Sequence, residues 1–224
     1  MSTQITYFTG TGNSLVVART LAEKIRAALH PLAATLDHNS IPIESDALGL
    51  VFPVYHKSIP LILKRFVEKL EDVKGTYLFA VYTYGDSPGL AARHLADLIE
   101  TRGGRLDAGF GVHMPYNYLT PTRIFRDMVS SFTLREVSGE KRRSLLVEAP
   151  VKIDSIAAYI RDRKSGTLEV TTDPLTRLAD ALNLPETLAK PVWLRIAGVK
   201  DLPDVPFIES RQWMDEGFHT DAAC

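Results

Sequence analysis

The chain has 224 residues, 45% of them hydrophobic and 24% charged, with a formal net charge of −1. That length buries a core without disulfide staples, and the single cysteine, Cys224, has no partner for an internal one. The near-neutral balance argues against nucleic acid or an anionic membrane as partner, and no apolar run is long enough to span a bilayer.

Residues 5–9 form a short apolar run that predicts a first strand, and residues 14–29 predict a helix. Leu15, Ala18, Leu21, Ala22 and Ile25 recur at helical spacing, with Arg19, Glu23, Lys24 and Arg26 on the other side. Residues 32–36 read as a second strand. Residues 47–54 are continuously apolar, as a strand covered on both faces must be. Residues 60–70 predict a helix with Pro60 in its first turn. A buried strand at 76–83, a helix at 87–101 and a strand at 106–114 follow. Strands alternating with helices imply an α/β fold, a doubly wound parallel sheet with helices on both faces.

Residues 115–144 open as a loop and turn polar and basic through 135–143, which reads as a solvated helix face. Residues 145–163 predict the last helix, with Ile153, Ile156, Ala157 and Ile160 on one stripe. Beyond 165, Pro174, Pro185, Pro191, Pro203 and Pro206 break the chain into short pieces. The expected organisation is a domain over 1–164 and an irregular C-terminal extension over 165–224.

The chemistry sits in the loop after the first strand, Thr9-Gly10-Thr11-Gly12-Asn13-Ser14. A helix start carries unpaired amide hydrogens and a partial positive charge, which favours an anion. Two glycines let the backbone turn its N–H groups inward, and the Thr9, Thr11 and Ser14 hydroxyls and the Asn13 amide add donors. A Walker A loop would end in Gly-Lys-Ser/Thr, and no lysine is present. A dinucleotide fingerprint would place a small residue where Leu15 stands. A cation-free loop rich in hydroxyls suits a terminal phosphate monoester. The plain alternative is a tight strand-to-helix turn with no ligand.

Tyr7-Phe8-Thr9-Gly10-Thr11-Gly12-Asn13-Ser14 resembles the phosphate loop of flavodoxins, which bind flavin mononucleotide (FMN). It is most similar to the flavodoxin-like half of proteins from anaerobes that fuse a flavodoxin domain to a bacterial-type ferredoxin domain. Residues 49–55 (Gly-Leu-Val-Phe-Pro-Val-Tyr) and 81–89 (Val-Tyr-Thr-Tyr-Gly-Asp-Ser-Pro-Gly) resemble the same group. The resemblance implies a five-stranded sheet of order 2-1-3-4-5 with ligand at the carboxyl ends of the strands.

It further implies that two more loops flank the isoalloxazine ring: Pro53, Val54, Tyr55 and His56 in one, and Thr83, Tyr84, Gly85, Asp86 and Ser87 in the other. Tyr55 and Tyr84 are candidates to stack on the ring or pack at its edge. Residues 84–87 would offer backbone amides to its pyrimidine edge. Asp86 also reads as the cap, with Ser87, of the helix expected to start at 87. His56 and Lys57 read as solvated, and Asn117 and Tyr118 are second-rank candidates on the same rim.

The six histidines show no metal-ligand spacing, and no Gly-x-Ser-x-Gly elbow occurs. Phe218 and Asp221 precede Cys224 as they precede the first cysteine of the ferredoxin module in the fused family. That module holds [4Fe-4S] clusters through a C-x₂-C-x₂-C-x₃-C-P run. One cysteine cannot do so, and the expectation is a truncation just as the module begins. The function expected is FMN-dependent electron transfer, relayed to a ferredoxin-type or oxidoreductase partner. The rivals are an NAD(P)H-dependent quinone or flavin reductase and a cofactor-free docking module. The absence of a charged-then-apolar leader makes a cytoplasmic location the expectation.

Overall fold

The computed structural model describes residues 2–55, 57–115 and 138–171, and residues 173, 174, 178, 181, 182, 184, 187 and 191. The chain forms two compact units, Met1–Val170 and Thr171–Cys224. In the second, Pro174, Leu178, Ala181, Leu184 and Pro191 are helical, and the Leu182 N–H donates to the Leu178 carbonyl at 2.9 Å.

The first unit runs β1 (Thr3–Tyr7), α1 (Asn13–Ile25), β2 (Ala28–Pro31), a 3-10 turn (Leu32–Thr35), β3 (Ala47–Pro53), α2 (Leu61–Lys69), β4 (Tyr77–Tyr84), α3 (Ala91–Thr101), β5 (Leu106–His113), α4 (Gly139–Arg161) and β6 (Thr167–Leu168). All strand pairs are parallel, and the order is β2-β1-β3-β4-β5-β6. The first five strands have the flavodoxin-like doubly wound order. The expected five-stranded sheet is therefore one strand short.

Side chains alternate across the sheet and build two cores. Ile5, Val51, Phe79, Val81 and Val112 face α1 and α4, meeting Val17, Leu21, Ile153 and Ile156. Leu48, Leu50, Phe52, Ala80 and Tyr82 face α2 and α3, meeting Leu63, Phe66, Leu95 and Ile99. β3 and β4 are buried on both faces, which is why their sequences are continuously apolar.

Several sequence boundaries are corrected. α1 stops at Ile25 rather than at residue 29, because Arg26 takes a left-handed C-cap (φ 56°) and the Ala27 N–H folds back to the Ala22 carbonyl at 2.9 Å. β2 follows at once, four residues before the expected second strand, whose residues are largely the 3-10 turn. α4 begins at Gly139, where the Ser138 hydroxyl accepts the Lys141 N–H at 3.2 Å, and it runs through Pro150.

The sixth strand was not expected from the sequence. β6 has two residues, and Glu169 beside it extends the pairing with backbone and side-chain bonds. The Glu169 N–H donates to the Gly109 carbonyl at 2.9 Å, and its carboxylate accepts the Gly111 N–H at 2.9 Å and Lys152 Nζ at 2.5 Å. The buried Tyr82 hydroxyl donates to the Glu169 carbonyl. Burial and the nearby Glu169 carboxylate push the Tyr82 phenol far up, so it remains a donor.

Candidate functional site

Three loops gather at the carboxyl ends of β1, β3 and β4, where open parallel sheets bind ligands. The first spans residues 8–12. Gly12 is the N-cap of α1, left-handed at φ 95°, and its N–H donates to Thr9 Oγ1 at 3.1 Å. No side chain caps α1, and no acidic residue stands in its first turn. Among the described residues no acceptor meets the backbone N–H groups of Thr11, Asn13, Ser14 or Leu15. A helix start left open in this way is a ready anion site.

The polar side chains of this loop divide between two tasks. Ser14 is buried, and its hydroxyl shares a 2.8 Å hydrogen bond with the buried Thr83 hydroxyl of β4. Asn13 Nδ2 donates to the Pro115 carbonyl at 2.6 Å, tying the start of α1 to the end of β5. Both expected donors thus hold the scaffold. Thr9 is half-buried, and Gly10 and Thr11 are exposed.

The second loop follows β3. The Val54 N–H still pairs with the Thr83 carbonyl at 2.8 Å. Tyr55 and Ser58 then exchange two backbone bonds of 3.1 and 2.9 Å around Lys57, which is left-handed at φ 66°. The Tyr55 ring turns back over the first loop. It meets Phe8 edge-on at 6.1 Å, and its hydroxyl lies against the Cα of Gly10, where an added Cβ would be 2.5 Å away. Burial pushes its phenol up.

The third loop, after β4, locks onto the second. At Gly89 (φ 56°) a Cβ would fall 2.4 Å from the Lys57 carbonyl oxygen, so only glycine fits. The Leu90 N–H donates to that carbonyl at 2.9 Å, and Ser58 Oγ shares a 2.7 Å bond with His94 Nδ1. α3 starts at Ala91, so neither Asp86 nor Ser87 caps it, as the sequence had suggested. Ser87 Oγ instead accepts the Gly89 N–H at 3.1 Å, and Asp86 is exposed.

Tyr84 carries an arrangement absent from the sequence reading. Its ring stacks on His113 at 5.0 Å and 8°, so one of its faces is already covered. His113 Nε2 donates to the Gly85 carbonyl at 2.8 Å. Burial and the Glu169 carboxylate push the Tyr84 phenol up. The available signal for His113 was its place at the end of a strand on the same rim. Nothing in the spacing of the histidines marks it.

Pro53 and Val54 are half-buried at the mouth of the second loop. His56, Asn117, Tyr118 and Cys224 lie outside the described residues. Among the described residues no cluster of His, Cys, Asp and Glu could hold a metal ion. No helix among them is long and apolar enough to cross a membrane.

No protein-family model and no curated protein matches the chain. Solved structures with a similar arrangement include a WrbA-like flavodoxin from Agrobacterium tumefaciens (16% identity, 73% of this chain and 99% of that one, TM-score 0.43). A flavodoxin from the domain Archaea (13%, 70% and 99%, TM-score 0.40) is another. A third is two-electron reduced flavodoxin from Megasphaera elsdenii (18%, 52% and 90%, TM-score 0.39). Likeness this distant transfers no function to the chain.

Proposed function

We propose that the chain binds FMN across these three loops and transfers electrons through it. The carrying observation is the open start of α1 within a loop that holds hydroxyls and neither lysine nor arginine. The donor set fits the group. Free backbone N–H groups and the Thr9 and Thr11 hydroxyls suit a phosphate monoester, and the open space at the Cα of Gly12 lets it approach. FMN when bound supplies the redox chemistry; the chain binds it, orients it and sets its surroundings.

On this reading Thr9–Leu15 hold the phosphate, and the loops around Tyr55 and Gly85 flank the ring. Tyr55 fixes the first loop against the second, and Gly89 fixes the second against the third, so the three walls form one rigid cleft. Electron transfer through a bound flavin requires no protein acid or base. The sequence resemblance supports a ferredoxin-type iron–sulfur protein as the electron partner.

Purification under non-denaturing conditions, followed by a visible spectrum and identification of the released cofactor, tests the proposal. Flavin bands with FMN in the supernatant are expected, or their recovery on adding FMN to apoprotein. A colourless protein that takes up no FMN contradicts it. Brisk NAD(P)H oxidation with a quinone acceptor by the chain alone would favour a reductase over a carrier.

A further inference from the structure

We infer that His113 is a positioning residue that holds the Gly85–Asp86 peptide with its N–H turned toward the bound flavin's pyrimidine edge; this rests on the FMN reading above.

Gly85 directly follows β4, and a glycine peptide at a strand end is the cheapest to rotate. Left alone, it could present either its carbonyl or the next N–H to a ligand. His113 removes that choice. A carbonyl only accepts, so the 2.8 Å contact between Nε2 and the Gly85 oxygen requires Nε2 to carry the proton. The ring is also held by a flat stack against Tyr84 at 5.0 Å and 8°. Tyr84 is itself pressed against β5, where a Cβ on Gly111 would be 2.7 Å from its ring.

In a trans peptide the carbonyl and the following N–H point in opposite directions, and the described chain has no cis peptide. With the Gly85 oxygen drawn to His113, the Asp86 N–H faces away from it. Among the described residues that N–H has no acceptor, and Asp86 is exposed. The pyrimidine edge of a flavin presents the carbonyl and ring-nitrogen acceptors that such a donor fits. His113 therefore acts through Gly85 without touching the ligand.

The test is FMN titration and NMR of bound, isotope-labelled FMN in three proteins: the unaltered chain, H113F and H113Q. Phenylalanine keeps the stack and removes the donor; glutamine restores a donor without the ring. The expected result is roughly tenfold weaker FMN binding in H113F, a typical loss for one hydrogen bond to a ligand. Its pyrimidine carbon and nitrogen signals should move toward free flavin while the phosphorus signal stays put. H113Q should recover most of both. Binding within twofold and unmoved pyrimidine signals in H113F overturn the inference, as do phosphorus and pyrimidine signals that shift together in both variants. If the unaltered chain binds no FMN, the FMN reading itself fails, a result distinct from any difference among the variants.

Discussion

The Tyr55 hydroxyl occupies the space where residue 10 would carry a side chain: a Cβ built on Gly10 lies 2.5 Å from Oη. The first and second loops of the cleft are in contact at that point. G10A should therefore force Tyr55 off the phosphate loop and weaken FMN binding at least about tenfold, roughly 1.4 kcal/mol. Y55F removes the hydroxyl, so G10A should cost much less in that background. A double-mutant cycle on FMN affinity checks this; additive losses would show that the contact does not matter.

Gly89 makes the corresponding contact between the second and third loops, but against backbone. G89A combines a left-handed φ of 56° with a Cβ 2.4 Å from the Lys57 carbonyl oxygen. Tyrosine can swing aside; a carbonyl in a turn cannot. The expected cost is about 2–3 kcal/mol of stability, read by urea unfolding. A loss below about 0.5 kcal/mol, the usual surface value, would contradict the interlock.

Ser14 and Thr83 share a buried bond of 2.8 Å, so each should matter mainly through the other. S14A or T83V alone leaves one buried hydroxyl without a partner and should cost about 1–3 kcal/mol. The double variant should cost clearly less than the sum, by chemical denaturation. Full additivity would argue for separate partners.

Tyr77, at the opposite pole, sets an alkaline limit. Burial, then the nearby Asp107 carboxylate, pushes its phenol up to about 12, although the Arg163 guanidinium 4.9 Å from its ring opposes the shift. The phenol donates to the Lys164 carbonyl at 2.6 Å. A folded-state value above the unfolded one means stability present below about pH 10 that declines as pH rises toward 12. Y77F should flatten that part of the profile. Thermal melts across this range, with tyrosinate absorbance alongside, give the answer; identical slopes in both proteins would contradict the assignment.

The alternation of strands and helices was legible because it rests on local pattern, whereas the strand order came only from the resemblance to flavodoxins. β3 and β4 read as strands from unbroken apolar runs, since both of their faces are covered. The loop from Thr9 to Ser14 read as an anion site because glycines and hydroxyls sit where a strand feeds a helix. What stayed hidden depended on conformations or contacts that composition does not encode. Arg26 ends α1 in a left-handed cap normally filled by glycine. β6 is too short for periodicity and is held by the Glu169 side chain. Asp86 and Ser87 look like caps, but the chain runs on to Leu90 before it coils. The Tyr84–His113 stack joins residues 29 positions apart, which no local motif shows.

Paired titrations with FMN and riboflavin show whether the open start of α1 binds the phosphate of FMN. The two ligands share the ring and the ribityl chain and differ by the phosphate alone. FMN should bind at least about a hundredfold tighter than riboflavin, some 2.7 kcal/mol. Equal affinities, or no binding of either, would contradict it.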